Sequence, residues 1–372
     1  KPLYICEMGR SLYFSSEIKF IKKMLGNKLT LNDKIATSFI NHGRINFSNE
    51  TLYSQIEEIS PGKNLRISSK SLIGNSYWNL KVDCANYNEK EALEIFKQLF
   101  NDSLKLRMRS DVEVGGLLSG GLDSSLILCD LSELGLISGG KYKAFSAIFD
   151  EAEFSEKKYI DELNKKFNYE QFFIRPNPDD LLSNMDEIFY FMDEPFTPPN
   201  LLQYLIYKTV LDKTEVKVLL NGQGADELFG GYSLHYDLLF TQHLATANLK
   251  SFIKEVSLYK KYRNPNKKYF DRYNVINALK NLNNDRYFNE VTSKELSEVS
   301  LREYLKYDDR MSMAFGLESR SPFLDYRLVQ FAFSLPVNFK ISNFKNKYLV
   351  RKYAKMRTNM PDSIINRKDK MG

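Results

Sequence analysis

Apolar residues in the middle of the chain recur with two alternating periods. Short apolar runs that are typical of buried strands occupy 112–118, 144–149, 169–174 and 216–220. Apolar positions three and four residues apart predict helices at 124–134, 155–167, within 179–192 and at 200–211. Because strands that alternate with helices pair in parallel, the pattern predicts an open α/β sheet. Ligands of such sheets bind beyond the carboxyl ends of the strands.

The regions on either side of this alternation have different patterns. Residues 1–80 contain short β-prone runs and turns, with one helix predicted at 17–25. Residues 81–88 are polar and predict a linker. A helix with one apolar stripe follows at 89–107, and from about residue 233 onward the pattern is helical with no further strand predicted. We therefore expect domains at 1–80 and 89–372.

Composition narrows the class of protein. A chain of 372 residues is long enough for two compact units, and 43% apolar with 27% charged residues is ordinary for a globular protein. The net charge of +6 is small for this length, and its lysines cluster locally at 157–166, 260–268 and 345–352. We interpret these clusters as solvated helix faces, and we expect no nucleic-acid partner.

Cysteine and histidine spacing argues against disulfides and against a zinc site. The three cysteines are widely separated and the three histidines have no ligand spacing; they are Cys6, Cys84, Cys129, His42, His235 and His243. This usage predicts a reducing cytoplasm. The apolar runs are shorter than the roughly 18 residues of a membrane span, and no signal-peptide pattern is present. The chain begins without Met in a strand-like run and stops without a helix end, so we expect a fragment of a longer protein.

A glycine-rich segment with the sequence SGGLDSS follows the first predicted strand, at Ser119–Ser125. Gly120 and Gly121 leave backbone N–H groups open to phosphate, and the next helix contributes the positive end of its dipole. Asp123 is the unusual member, because a carboxylate beside phosphates needs a neutralising partner, for which we expect Mg²⁺. A capped turn is the structural alternative, but the length of the match favours a phosphate site.

The segment is not a P-loop, since GxxxxGK[ST] is absent. It resembles the PP-loop of ATP pyrophosphatases, which bind pyrophosphate and form adenylylated intermediates. A second glycine-rich turn, Asn221–Glu227, follows the strand predicted at 216–220 and can face the first loop. Asp226 is then a candidate second Mg²⁺ ligand, with a helix N-cap as its structural alternative.

The two motifs together resemble the synthetase domain of glutamine-dependent asparagine synthetases. Residues 193–200 resemble the family's DEP-x-x-x-P segment, and residues 309–325 resemble its DRMSMAxGxExRxPFLD run. KPLY at 1–4, FSSEIK at 14–19 and ISPG at 59–62 resemble the second half of the family's N-terminal glutaminase domain. The resemblance implies an open parallel sheet of the PP-loop (adenine nucleotide alpha hydrolase-like) type with a helical C-terminal part. Part of a β-rich, N-terminal-nucleophile glutaminase domain of the class II amidotransferases would precede it.

The resemblance also implies a reaction and its site. The acceptor carboxylate attacks the α-phosphate of ATP, and ammonia then displaces AMP from the acyl-adenylate. Pyrophosphate is expected on Ser119, Gly120, Gly121, Leu122, Asp123 and Ser124. Adenine and ribose are expected, mainly on backbone groups, beside Leu118, Ala147, Asn221 and Gly222. Mg²⁺ would lie on Asp123 and Asp226. Lys370 would stabilise the transferring phosphate, and Tyr232 would lie near the intermediate.

Two departures from the family pattern affect the predicted function. Gln223 replaces the carboxylate thought to take a proton from the attacking ammonia, and an amide cannot act as a base, so Glu227, water or phosphate are the alternatives. The family's glutaminase nucleophile is an N-terminal cysteine, and Cys6, within a strand-like run, is not that residue. The chain as given is therefore not expected to hydrolyse glutamine, although free ammonia remains usable.

Three functions stay open at this point. The first is conversion of aspartate to asparagine, with glutamine or ammonia as nitrogen donor. The second is amidation of another carboxylate, such as a sugar acid or a cell-envelope or antibiotic precursor. The third is a catalytically weakened homologue kept for binding, which Gln223 favours and the intact Ser119–Ser125 opposes. The sequence leaves the oligomeric state open, a homodimer included.

Overall fold

The computed structural model describes residues 1–43, 45, 47–68, 72–137, 140–150, 155–195, 200–262, 272–298 and 300–367. The chain forms two compact units, each built from separate segments. The first unit contains Lys1–Leu80, Pro176–Thr214 and Leu296–Glu318. The second unit contains Lys81–Arg175, Glu215–Glu295 and Ser319–Gly372. The first segment of the first unit ends at Leu80, and the other two segments of that unit lie within residues 89–372.

The N-terminal part of the first unit consists of short antiparallel strands. Its strands are Tyr4–Met8, Ser11–Ser15, Glu57–Glu58, Lys63–Ile67 and Leu72–Ser76. The first three form one sheet with Tyr4–Met8 in the centre, and the last two form a separate hairpin. Pro61-Gly62 lies at the start of the hairpin, where Gly62 has a φ of +73°. The β-rich character expected of residues 1–80 is therefore present.

Helices complete the first unit. They are Ile18–Leu25, Asp33–His42, Pro178–Met192, Asn200–Lys213 and Ser300–Ala314, with a 3₁₀ turn at Gly26–Lys28. The expectation of a single helix within residues 1–80 was wrong, because Asp33–His42 is a second one. The Asn32 side chain caps it by accepting from the N–H of Ile35, which is its only fully buried residue. Ala36 and Phe39 pack with Ile35 on one face of this ten-residue helix, so an apolar pattern is present and the prediction missed it.

Buried charges connect the DEP motif to distant parts of the first unit. Asp193 accepts hydrogen bonds from the N–H groups of Ile18 (2.9 Å) and Lys19 (3.2 Å), so it caps a helix whose own N-cap residue makes no capping hydrogen bond with its side chain. Glu194 forms an ion pair with Lys306, which lies on the helix that carries the DRMSMA motif, and both residues are at most 4% exposed. These two motifs therefore hold the first unit together.

The second unit contains the predicted open parallel sheet. Its strand order is Glu318–Arg320, Val218–Leu220, Val114–Leu117, Lys143–Ala147 and Glu170–Ile174. The last four strands, and the helices predicted between them, lie within two residues of their expected bounds. Glu318–Arg320 was missed, and the expectation of no strand after residue 233 was wrong. This strand is three polar residues long and has no apolar run that could reveal it.

Helices surround this sheet and form the C-terminal part of the chain. Those of the alternation that belong to the second unit are Glu89–Arg107, Leu122–Glu133 and Lys157–Phe167. Those that follow the last parallel strand are Ala225–Phe229, His235–Ala245, Leu249–Tyr262, Arg272–Lys280, Tyr287–Glu298, Tyr326–Ser334, Val337–Lys340, Tyr348–Lys355 and Asp362–Ile365. Stacked and edge-on aromatic rings fill the space between several of them; the group comprises Phe96, Phe100, Phe229, Phe323 and Tyr353. The predicted helical C-terminal part is therefore confirmed.

Candidate active site

The first glycine-rich loop lies where the strand Val114–Leu117 ends and the helix Leu122–Glu133 begins. Ser124 Oγ accepts a hydrogen bond from the N–H of Ser119 (3.2 Å) and lies 3.2 Å from Ser119 Oγ. Ser119 Oγ in turn accepts from the N–H of Gly121 (3.3 Å). Hydrogen bonds with its own serine side chains therefore stabilise the loop. The helix that follows begins with N–H groups that can bind an anion.

Gly120 gives this loop its shape. Its φ is +69°, and an added Cβ would lie 3.0 Å from Tyr159 Cβ and 3.3 Å from the Glu156 carbonyl. Arg367 pairs with Glu156 (2.6 Å) and donates to the Gly120 carbonyl (3.4 Å), so a buried guanidinium ties the loop to its neighbour. Both the conformation and the close packing therefore require glycine at position 120.

The second glycine-rich turn lies directly beside the first loop. The strand Val218–Leu220 pairs in parallel with Val114–Leu117, with Leu220 opposite Gly116. The segments that follow the two strands therefore leave the sheet at the same edge. A Cβ on Gly222 would lie 3.1 Å from Asp123 Cβ and 3.3 Å from the Ser124 nitrogen. The expectation that the two motifs face one another at the carboxyl ends of the strands is confirmed by this contact.

Asn221 fixes the second turn through its side chain. Its Nδ2 donates to Ser319 Oγ (2.7 Å), and its Oδ1 accepts from Ser321 Oγ (2.7 Å) and from the N–H of Gln223 (3.1 Å). Its backbone N–H donates to the Arg320 carbonyl (3.0 Å). The side-chain amide and the backbone N–H of Asn221 are therefore both engaged within the protein, and contact with a nucleotide at this position stays a prediction.

Lys347 brings the two predicted metal ligands together. Its Nζ lies 2.5 Å from Asp123 Oδ2 and 2.8 Å from Asp226 Oδ1, and the whole residue is 2% exposed. The interpretation of the 345–352 lysine cluster as a solvated face was wrong at this residue. Its position was missed because nothing in a lysine-rich segment marks the one ammonium that turns inward.

The backbone around Lys347 holds it in place. Lys347 has a φ of +51°, and its N–H donates to the Phe229 carbonyl (3.1 Å). A Cβ on Gly231 would lie 1.7 Å from Asp226 Oδ1 and 2.6 Å from Lys347 Cε. Glycine at position 231 is therefore what allows the carboxylate and the lysine stem to meet.

Arg351 is a second cation near the same carboxylates, and it is half-buried. Its guanidinium donates to the carbonyl and to Oδ1 of Asn346 (2.9 Å each). Burial lowers the pKa of Arg351, and the charges of Asp123 and Asp226 oppose that shift. Two cations therefore stand close to two carboxylates at this end of the sheet, and the four charges balance.

Glu227 and Tyr232 form a hydrogen-bonded pair next to Asp226. The Tyr232 hydroxyl donates to Glu227 Oε1 across 2.8 Å, and Glu227 is 2% exposed. Burial raises the pKa of Glu227, a shift that the hydrogen bond from Tyr232 opposes. His235 packs edge-on against the Tyr232 ring, and its Nε2 lies 3.2 Å from Glu295 Oε2. His235 therefore links the Tyr232 ring to Glu295 on the helix Tyr287–Glu298 through a partly buried polar contact.

The remaining predicted site residues are Leu118, Ala147, Leu122, Gln223 and Lys370. Leu118 follows the strand Val114–Leu117, and Ala147 is the last residue of the adjacent parallel strand Lys143–Ala147. Both lie at the same edge of the sheet as the two glycine-rich loops. Leu122 begins the helix after the first loop and is buried. Gln223 is half-buried, and its backbone N–H donates to Asn221 Oδ1. Lys370 lies outside the described residues.

The described residues of the chain also bear on metal-binding clusters, membrane-spanning helices and cysteines. Within the described ranges, no cluster of three or more His, Cys, Asp or Glu side chains has a metal-binding arrangement. The helices of the described segments include none that is long and apolar enough to cross a bilayer. The three cysteines are free thiols, and two of them, Cys6 and Cys129, are buried.

Comparison with known families assigns the chain. Residues 96–372 match the family described as asparagine synthase, and residues 1–78 match the glutamine amidotransferase domain. This chain belongs to the asparagine synthase family. The resemblance drawn from the two glycine-rich motifs is therefore confirmed, as is the α/β class with a PP-loop-type sheet.

Individual relatives are distant. Asparagine synthetase [glutamine-hydrolyzing] 1 of Bacillus subtilis is 27% identical over 99% of this chain and 63% of its own length. Putative asparagine synthetase [glutamine-hydrolyzing] 2 of Methanocaldococcus jannaschii is 32% identical over 63% of this chain and 45% of its own. The chain thus spans less than two thirds of these relatives. A solved U34-tRNA thiolase from Methanococcus maripaludis aligns over 64% of this chain and 89% of its own, at 14% identity and a TM-score of 0.29.

Proposed function

We propose that this chain catalyses ATP-dependent amide synthesis through an acyl-adenylate, with aspartate as the acceptor and asparagine as the product. In the complete protein the nitrogen donor is glutamine, and free ammonia can replace it. The observation that carries the proposal is the convergence of Asp123 and Asp226, from two separate glycine-rich motifs, on one buried ammonium beside a helix N-terminus. The three reduced cysteines support the cytoplasm as the compartment.

The first step forms the acyl-adenylate. A carboxylate oxygen of the acceptor attacks the α-phosphorus of ATP, and the bond from that phosphorus to the bridging oxygen breaks to release pyrophosphate. The loop Ser119–Ser124 supplies N–H and hydroxyl donors for the pyrophosphate, and the side chains of Lys347 and Arg351 supply positive charge beside it. Lys370 is proposed to stabilise the same negative charge from the C-terminal end of the chain.

Two carboxylates fit a magnesium ion that arrives with ATP. Asp123 Oδ1 is buried and accepts no hydrogen bond from the described residues, and both side chains offer the hard oxygen atoms that Mg²⁺ prefers. Mg²⁺ is commonly held by one or two carboxylates together with substrate phosphates, so a third protein ligand is not required. When bound, the ion would neutralise charge on the departing pyrophosphate. Asp123 and Asp226 are the residues that would hold it.

The second step forms the amide. Ammonia attacks the acyl carbon, AMP leaves with the former carboxylate oxygen, and one proton must be removed from nitrogen. Gln223 cannot accept that proton, because an amide is not a base at neutral pH. Glu227 can, since burial has already raised the pKa of its carboxyl towards the range useful for catalysis. Tyr232 orients Glu227 through its hydroxyl.

Gln223 also favours a second candidate function. Where the usual carboxylate is replaced by an amide, the site gains a hydrogen-bond donor, which suits an acceptor that carries additional hydroxyl or carboxylate oxygens. A sugar acid, or a carboxylated precursor of a cell-envelope or antibiotic component, is an acceptor of this kind. The reaction type stays the same, and only the acceptor changes.

Acceptor-stimulated release of pyrophosphate separates the candidates. The full-length protein would be incubated with ATP, Mg²⁺ and ammonium, together with aspartate, glutamate or uronic acids, one acceptor at a time. We expect aspartate to give the largest stimulation of pyrophosphate release and an amide product in equal amount. Stimulation by a uronic acid alone would support the second candidate, and no stimulation by any carboxylate would contradict both.

A further inference from the structure

The Lys347 ammonium lies where a metal ion shared by two carboxylates would lie. It is 2.5 Å from Asp123 Oδ2 and 2.8 Å from Asp226 Oδ1, with the three side chains at most 13% exposed. A buried carboxylate pair without a cation is costly, since neither charge is hydrated and the two repel. Lys347 therefore makes the site stable before any ligand arrives.

The main chain of Lys347 is fixed, but its ammonium is not. The N–H bond to Phe229 holds the backbone of Lys347, and the glycine at position 231 leaves room beside Cε, the carbon that carries the ammonium. Nζ itself is joined to the protein here through its ion pairs with Asp123 and Asp226, at the end of a four-carbon chain with rotatable bonds. A change of rotamer can move the charge without moving the fold.

A divalent cation cannot simply be added to this arrangement. An ion bound between Asp123 and Asp226 would be within a few ångströms of Nζ, and two cations repel strongly in a site that excludes water. The ammonium must turn away, and once displaced it needs another anion to remain buried. The polyphosphate of ATP is the anion that enters with the metal.

We propose that Lys347 is an exchangeable counter-ion that makes binding of the divalent cation depend on nucleotide. This inference rests on the proposed role of Asp123 and Asp226 as metal ligands. Without ATP, Lys347 occupies the two carboxylates and the metal binds weakly. With ATP, the ammonium transfers to the phosphates and the carboxylates become free for the metal. Metal and nucleotide therefore bind with positive cooperativity.

Binding of Mn²⁺, measured by electron paramagnetic resonance on the full-length protein, tests this exchange. Without nucleotide, Lys347→Met should bind Mn²⁺ roughly 5- to 150-fold more tightly than the unmodified protein, the range usual for coupling between two ligands. ATP should tighten Mn²⁺ binding in the unmodified protein and much less in Lys347→Met. Lys347→Arg, which keeps the charge, should bind Mn²⁺ weakly without ATP. Lys352→Met removes a half-exposed lysine on the same helix and should leave Mn²⁺ binding unchanged.

The outcomes separate this inference from the proposed function. If Lys347→Met binds Mn²⁺ no more tightly without ATP, while Asp226→Asn weakens Mn²⁺ binding in the presence of ATP, the exchange is wrong and the metal ligands stand. If Asp226→Asn leaves Mn²⁺ binding with ATP unchanged, the ligand assignment itself fails, and the exchange with it. Should Lys347→Met be unstable, its unfolding midpoint should rise more with added Mn²⁺ than that of the unmodified protein, and an equal rise would overturn the exchange.

Discussion

The Tyr232 hydroxyl donates a hydrogen bond to Glu227 Oε1 across 2.8 Å, and this bond joins the last residue of the second glycine-rich turn to the segment after the helix Ala225–Phe229. Because burial raises the pKa of Glu227 and this bond lowers it, the two residues together set the pH at which the carboxylate can accept a proton. A base acts when it is deprotonated, so the rate of amide formation should rise with pH through the pKa of Glu227.

Replacing Tyr232 by Phe should therefore move the acid limb of the pH–rate profile to higher pH. The loss of the hydrogen bond removes a contribution that lowers the pKa of Glu227, so more base is protonated at any given pH. Glu227→Gln should lower the rate of amide formation by about 10²-fold or more, while pyrophosphate is still released in a single turnover without ammonia. An acid limb that does not move in Tyr232→Phe would argue against Glu227 as the proton acceptor.

Asp123→Asn should lower acceptor-stimulated pyrophosphate release by about 10²- to 10³-fold, because the change removes a charged ligand beside the departing phosphates. The matched control is Asp111→Asn, at an exposed carboxylate just before the first strand of the sheet, and it should retain full activity. The measurement is a coupled pyrophosphate assay with ATP and aspartate at saturation. Normal activity in Asp123→Asn would overturn the site assignment.

Gln223→Glu tests what the amide at this position does. If Gln223 is a weakened base position, a carboxylate there should raise the rate of amide formation with ammonia several-fold and leave pyrophosphate release little changed. If Gln223 instead orients the acceptor, the same change should raise KM for the acceptor, because a hydrogen-bond donor is lost and a negative charge is gained. Steady-state kinetics with ammonium and acceptor varied in turn distinguish the two results.

Lys340 offers a stability test away from the site. Its ammonium is fully buried over the Phe333 ring, 4.4 Å from the centroid, and Nζ makes no hydrogen bond within the described residues. Burial lowers its pKa to about 7. The folded pKa lies below the unfolded one, so the amine costs stability as pH falls from about 10.5 towards 7. Lys340→Met should raise the free energy of unfolding at pH 7 by roughly 1–3 kcal/mol.

The pH dependence of that gain is the decisive feature. The advantage of Lys340→Met should shrink as pH is raised towards 10, where the unfolded chain no longer gains a proton. Lys355→Met, at an exposed position, should change the free energy of unfolding little at either pH. Urea unfolding at pH 7 and pH 9.5 checks both variants. An equal gain at the two pH values would show that packing, and not the buried charge, sets the effect.

Sequence alone located the parallel sheet and both glycine-rich turns, because each feature is encoded locally. Apolar runs mark the buried strands, and glycines such as Gly120 and Gly222 mark places where a loop must turn or approach another backbone. The edge strand Glu318–Arg320 escaped because it is short and polar, and its place in the sheet depends on contacts that the local pattern does not record. The helix Asp33–His42 was missed although Ile35, Ala36 and Phe39 give it an apolar face.

The partners of the predicted site residues were harder to foresee. Asp123 was expected beside phosphate, and its need for a neutralising cation was clear, but Lys347 lies 224 positions further along the chain. Asn221 likewise depends on Ser319, 98 positions away. A single sequence contains no signal for such pairings, because they are decided only when the C-terminal helices pack. The chemistry of the loops was therefore predictable, and the cation between them was not.

The three-segment construction of the first unit has a consequence for synthesis on the ribosome. Glu194 and Lys306 are 112 positions apart, so their buried ion pair cannot form until more than 300 residues have been translated. Until then the helix that begins at Ile18 and the residues around Tyr4 lack part of their final environment, whereas most of the parallel sheet is already available. Domains usually fold in order from the N-terminus during translation. Here the unit that contains Tyr4 and Ile18 is expected to be completed late, so part of its apolar surface stays uncovered for longer while the chain is made.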